Sequence, residues 1–118
     1  MKAVPEYESK GYYRMSSTEN NNVSIIIPVH SGGENFRRCL LSIYESETPP
    51  LEVIVAADGE SDGSWRIAED FHADILKLQV SQGPAKARNM GAQKAKGDIL
   101  FFVDADVALA KDAVGCVI

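Results

Sequence analysis

The sequence predicts an α/β fold, a doubly wound and mainly parallel sheet with helices on both faces. Three observations point to it. Four short apolar runs recur between residues 23 and 103, and the first, second and fourth are too uniformly apolar for strands with one wet face. Between successive runs lie segments whose apolar residues fall at helical spacing. The order strand, helix, strand, helix, strand, helix, strand winds, through right-handed crossovers, into a parallel sheet covered on both sides.

Each element has its own signal. Residues 1–22 show no sustained period and close on Ser16, Ser17, Thr18, Glu19 and three asparagines, so they read as a polar extension with Tyr7, Tyr12 and Tyr13 as candidate anchors. The run VSIIIPV at 23–29 is the first strand. Ser31 and Glu34 stand at the spacing of a capping box and open a helix whose Phe36, Leu40 and Ile43 share a face, and Pro49 and Pro50 stop it. The run LEVIVAA at 51–57 is the second strand, followed by a turn at 58–63 and a helix carrying Trp65, Ala68 and Phe71 or His72. Residues 75–80 make a third, partly alternating strand.

The third helix opens at Gly83 and Pro84, with Pro84 at its first position and Gly97 just past its end. It is rich in small residues: Ala87, Gly91 and Ala95 form one stripe, and Ala85, Asn89 and Ala92 a second. Its backbone can therefore approach a sheet or a ligand closely. The run 99–103 is the fourth strand, and after Lys111 and Asp112 the chain reads as an unfinished segment. Residues 23–118 are thus expected to form one truncated subdomain.

The composition narrows the function. With 118 residues, 45% of them hydrophobic, the chain holds enough apolar material for one core. A net charge of -5 and no dense basic block argue against a nucleic-acid partner. No apolar run approaches the ~20 residues of a transmembrane span, and the first residues lack the apolar core of a secretory signal. Cys39 and Cys116 have no metal-like spacing, and Cys39 reads as a small buried hydrophobe on a helix face. A cytoplasmic protein is expected, at most peripheral to the cytoplasmic face of a membrane.

The polar residues collect in one place. In a parallel sheet the C-terminal ends of all strands share an edge, and ligands bind in the crevice there. His30 and Ser31 follow the first strand, Asp58 the second, and Asp104 and Asp106 the fourth. A hard divalent cation would join such carboxylates, commonly through one or two of them plus substrate phosphates. A single Asp after a strand is usually only a turn residue; several on one edge weigh more. Lys86 and Arg88 near the positive end of the third helix suit phosphate or a base carbonyl. For Arg88 this and a plain solvated face stand level, whereas Lys94 and Lys96 read as solvated.

Taken in order, residues 23–29, a strand ending in Asp58 and Gly59, the segment GPAKARNMG at 83–91, and Asp104-Ala105-Asp106 resemble the nucleotide-binding half of the family 2 glycosyltransferases, with their Rossmann-like GT-A fold. The resemblance covers about 23–107 and implies an inverting transfer from a nucleotide-diphospho-sugar, a UDP-sugar by preference, to an unknown acceptor such as a glycan, lipid or small molecule. It implies that Asp58 accepts the uracil N3 hydrogen, that His30 packs against the base, and that Pro28 and Val29 line its pocket. Glu34 matches an acidic position near the nucleoside. Arg88 would reach base or diphosphate, Asp104 the ribose or a metal-bound water, and Asp106 would ligate Mn2+ or Mg2+, with Asp104 as its companion. Asp62 and Asn89 match structural positions, a helix cap and a turn anchor.

The sequence departs from the family's pattern at Ser31, where Asn is usual, at Ala57, where an acid is usual, and at Glu60, where Ser is frequent. Nothing in it matches the carboxylate general base of the family's acceptor half, so the chain alone is expected not to transfer sugar efficiently. Two other classes compete: a non-catalytic nucleotide-binding or remnant module, and, ranked below it, an aspartyl-phosphate phosphatase. The phosphatase reading suffers because its Asp-x-Asp belongs on a first strand. Apolar surface left where an acceptor half would pack gives a homodimer as one further expectation.

Overall fold

In the computed structural model, which describes residues 22–59 and 63–117, the first apolar run becomes β1 (Val23–Val29), buried at all seven positions. Burial on both faces requires a strand along each edge and a layer over each face. β1 pairs in parallel with β2 (Glu52–Asp58) on one side and with β4 (Ile99–Phe102) on the other, and β3 (Asp74–Leu78) completes the order β3-β2-β1-β4. The winding steps outward from β1 to β3 and then returns past β1 to β4. The reversal opens a crevice between β1 and β4, the position where such sheets bind ligands.

Strand alternation divides the two faces. Val23, Ile25, Ile27 and Val29 join Val53, Val55 and Ala57 in a core with Phe36, Cys39, Leu40 and Ile43 of α1 (Gly33–Tyr44) and Ala68 of α2 (Ser64–Asp70). On the opposite face α3 (Pro84–Lys94) covers Ala56 and Leu78 with Ala87 and Met90. The first small-residue stripe does what it was expected to do. Ala87 and Gly91 are buried, and a Cβ on Gly91 would lie 2.7 Å from Ile26 Cγ2, so the helix backbone rests directly on β1. The second stripe points outward, with Ala85 and Asn89 exposed.

Several boundaries differ from the sequence reading. The capping box does not form: Gly32 is the N-cap of α1 and no side chain caps it locally. Instead the N–H groups of Gly32 and Gly33 donate to Ser64 Oγ at 3.0 and 3.4 Å, so the cap is supplied by the first residue of α2. α1 ends at Tyr44, ahead of Pro49 and Pro50. Gly97 is not the helix terminator, because α3 stops at Lys94 with Ala95 as its C-cap. Gly97 is small for another reason: its N–H donates to Ser24 Oγ at 2.9 Å, and a Cβ there would meet the Asn22 carbonyl at 2.3 Å. The third strand ends at Leu78 rather than at 80.

The segment expected to be unfinished folds back on α1. Leu109 N–H donates to Ser42 Oγ, Glu47 N–H to the Lys111 carbonyl, and α4 (Ala113–Cys116) buries Val114. The expected extension up to residue 21 and the expected cap at Asp62 lie outside the described residues. Among the described residues no helix is long and apolar enough to cross a membrane.

Candidate functional site

The C-terminal ends of β1, β2 and β4 meet along one edge, and the residues beyond them touch. His30 Nδ1 lies 2.8 Å from the backbone carbonyl of Asp58. A carbonyl only accepts, so Nδ1 carries the hydrogen, and in the neutral ring Nε2 is left as an acceptor. Asp58 itself is 4% exposed. Its Oδ1 accepts the Gln82 N–H at 2.7 Å, and its Oδ2 accepts the Gly83 N–H at 2.9 Å and the Ser81 hydroxyl at 3.2 Å. A buried carboxylate is tolerated because these donors satisfy it. They also fasten the loop that launches α3 onto the end of β2. Gly59 at φ +60° makes room for that loop, since a Cβ there would sit 2.3 Å from Ser81 N.

Two neighbouring cavities open on this edge. The larger, about 430 Å³, is lined by Pro28, Val29, His30, Ser31, Gly32, Asn35, Ala105 and Asp106. The smaller, about 160 Å³, is lined by Pro28, Val29, His30, Asp58 and Pro84. Pro28, Val29 and His30 form the wall common to both. The structure therefore brings five of the eight singled-out residues to the two cavities: Pro28, Val29, His30, Asp58 and Asp106. Arg88 and Asp104 line neither cavity and pair with each other at 3.1 Å, both partly open to solvent. Glu34 lines neither cavity; it is exposed in the first turn of α1, 4.0 Å from Arg37 Nε, and its neighbour Asn35 faces the larger cavity in its place.

Asp104 and Asp106 lie near Cys39, on the buried face of α1. The Cys39 thiol donates to the Asp104 carbonyl at 3.6 Å. Its pKa is pushed up to about 12, first by burial and then by the charges of Asp106 and Asp104. Among the described residues no group of three His, Cys, Asp or Glu side chains stands ready around one ion. Asp58 is committed to the 81–83 loop, which leaves Asp104 and Asp106, both exposed, as the oxygen donors. Such a pair fits a Mg2+- or Mn2+-type ion that takes one or two carboxylates and fills its other positions with water or phosphate.

Sequence reasoning missed Ser64, Asn35 and the 81–83 loop. Ser64 follows Gly63 at the start of a helix and reads there as a local cap; its bond to a loop 32 residues away has no sequence signal. Ser81 and Gln82 read as a plain turn.

A profile described as Glycosyl transferase family 2 matches residues 24–118. The uncharacterized glycosyltransferase YfnE of Bacillus subtilis is 38% identical over 96 residues, covering 77% of this chain and 24% of its own length. Glycosyltransferase AglE of Haloferax volcanii is 37% identical over 91 residues, covering 71% and 30%. Among solved structures, residues 1–349 of S. aureus TarS superpose with a TM-score of 0.75 at 25% identity, over 81% of this chain and 31% of that one, and the TarS structure with UDP-GlcNAc fits equally well. The mannosyltransferase PcManGT of Pyrobaculum calidifontis, in complex with GDP-Man and Mn2+, gives a TM-score of 0.71 at 29% identity over 79% and 30%. The chain spans about a quarter to a third of the length of these relatives. By profile, relatives and architecture, it belongs to glycosyl transferase family 2 and has the GT-A fold of that family's N-terminal half.

Proposed function

We propose that these residues form the donor-binding half of an inverting glycosyltransferase, which holds a UDP-sugar against a divalent cation for transfer to an acceptor. The observation that carries this reading is the pair of neighbouring cavities at the sheet edge. One reaches Asp58, the other reaches Asp106, and Pro28, Val29 and His30 wall both. An apolar wall with a few convergent polar groups suits a nucleoside, and a carboxylate pair with an arginine bonded to it suits a metal-bound diphosphate. TarS with UDP-GlcNAc and PcManGT with GDP-Man and Mn2+ support donors and a metal of these classes.

In this reading Pro28 and Val29 exclude water from one side of the nucleoside, and His30 and Asp58 close the end of its pocket. Asp104 and Asp106 would hold Mn2+ or Mg2+, which offsets the charge that collects on the departing diphosphate. Arg88, paired with Asp104, keeps a positive group beside the carboxylates where the diphosphate would lie. No residue here matches the carboxylate general base of the family's acceptor half, and in this reading the 118 residues by themselves bind the donor without transferring sugar at an enzyme's rate.

Calorimetric titration of UDP tests this, with Mn2+ and then with EDTA, on the wild type and on Asp106→Ala. Binding that needs the metal and is lost in the variant is expected. Binding that ignores both EDTA and the substitution would overturn the metal site, and no binding at all would overturn the donor site.

A further inference from the structure

Resting on the donor-site reading above, we propose that Ser64, the first residue of α2, is a positioning residue for the donor. Its buried hydroxyl holds the segment 31–33, which walls the larger cavity together with Asp106, in the one conformation that receives the metal-bound diphosphate.

That segment needs a hold from outside. Residues 31–33 lead from β1 into α1, and Ser31 and Gly32 line the larger cavity. Gly32, the N-cap of α1, has no side chain to satisfy the first N–H groups of the helix, and Gly33 stands at φ +54° with open space where a Cβ would be. Adjacent glycines leave the backbone more conformations than any other pair. Ser64 selects among them. Its side chain is fully buried, and its Oγ accepts the Gly32 N–H at 3.0 Å and the Gly33 N–H at 3.4 Å. Gly32 is also tightly packed: a Cβ there would lie 2.5 Å from Phe36 Cβ and 2.9 Å from Val29 Cγ2. Close packing and one oxygen atom together fix the wall.

The anchors of this wall flank one connection of the chain. His30 Nδ1 donates to the carbonyl of Asp58, the last residue of β2, and Gly32 and Gly33 donate to Ser64, the first of α2. The β2–α2 connection thus sets where residues 30–33 stand, although only Asp58 at its start lines a cavity with them. Without the Ser64 oxygen the glycines would be ordered only when a ligand arrives. Ordering one backbone residue on binding weakens affinity about fivefold or more.

The experiment is calorimetric titration of UDP with Mn2+ into wild type, Ser64→Ala, Ser64→Thr, Ser64→Val and Ala68→Gly, each well below its melting temperature. Ser64→Ala is expected to weaken binding about fivefold or more. Thr and Val have the same shape and only Thr keeps the oxygen, so Ser64→Thr should bind about fivefold more tightly than Ser64→Val. That pair decides the matter even if Ser64→Ala does not fold. Ala68→Gly loosens the core side of the same helix without touching the wall, and should lower the melting temperature while keeping the affinity. Wild-type affinity in Ser64→Ala, equal affinities in the Thr and Val variants, or a loss in Ala68→Gly as large as in Ser64→Ala would each overturn the assignment, yet leave the donor site standing. Failure of the wild type to bind UDP would remove the donor site and this inference together.

Discussion

Asp58→Ala is expected to cost the fold about 3 kcal/mol, the sum of about 1.5 for each stranded backbone N–H. The figure follows from the bonds the carboxylate makes. Hydrogen bonds to a charged group contribute about 1.5–3 kcal/mol each. The Gln82 and Gly83 bonds at 2.7 and 2.9 Å are short and nearly shielded at the Asp58 end. Gln82 is exposed, however, so water can recover part of the loss, and the lower end of the range applies to both. The Ser81 hydroxyl, at 3.2 Å and on an exposed residue, adds little. Against a total stability of about 5–15 kcal/mol this is a large fraction, and for a domain of this size it lowers the melting temperature by roughly 12–24 °C. Thermal unfolding followed by circular dichroism and urea unfolding measure it independently. Ser81→Ala should cost less than about 1 kcal/mol. A cost for Asp58→Ala below about 0.5 kcal/mol, within the range of an ordinary surface change, would refute the view that this carboxylate holds the loop. Equal costs for the two variants would do the same.

Two further outcomes follow from packing and burial. Gly91→Ala should destabilise by about 1–3 kcal/mol, the usual cost of overpacking, because the added Cβ meets Ile26 Cγ2 at 2.7 Å. The cost should shrink in an Ile26→Ala background, and denaturant melts of the four proteins of that cycle measure the coupling. Stability should also fall in alkali. The Cys39 thiol is raised in the folded state from 9.0 to about 12, and the Tyr44 hydroxyl is raised too, first by burial and then by Asp74. The unfolded chain therefore loses these protons at lower pH than the folded one. Their contribution is complete below pH 9.0 and is lost as pH rises toward about 12. Unfolding free energies from urea titrations should be level up to about pH 9 and then decline on the order of 1 kcal/mol per pH unit for each group above its unfolded pKa, and Tyr44→Phe should flatten the upper part of that slope.

The sheet was legible because its signals are local. The VSIIIPV run is short and β-branched, which marks a strand covered on both faces, and Pro84 before a helical pattern marks a helix start. The placement of His30, Asp58 and Asp106 on one edge followed from strand direction alone. What stayed hidden depends on partners far away in sequence. Ser31 and Glu34 have the spacing of a capping box, but Ser64 on another helix satisfies the same N–H groups. Gly97 looks like a helix stop, yet it is demanded by close contact with Asn22 and Ser24. The direction of the Asp58 carboxylate could not be read either, because the Gln82 and Gly83 backbone groups that attract it carry no side-chain signal.

The central claim is that a donor diphosphate and its metal sit where β1, β2 and β4 end. A crystal of the protein soaked with UDP and Mn2+, measured at the manganese absorption edge, tests it most directly. An anomalous peak against the Asp106 carboxylate, with the base beside His30 and the wall of Pro28 and Val29, is the predicted result. A manganese peak and nucleotide density anywhere else on the molecule, with that edge filled only by water, would contradict it.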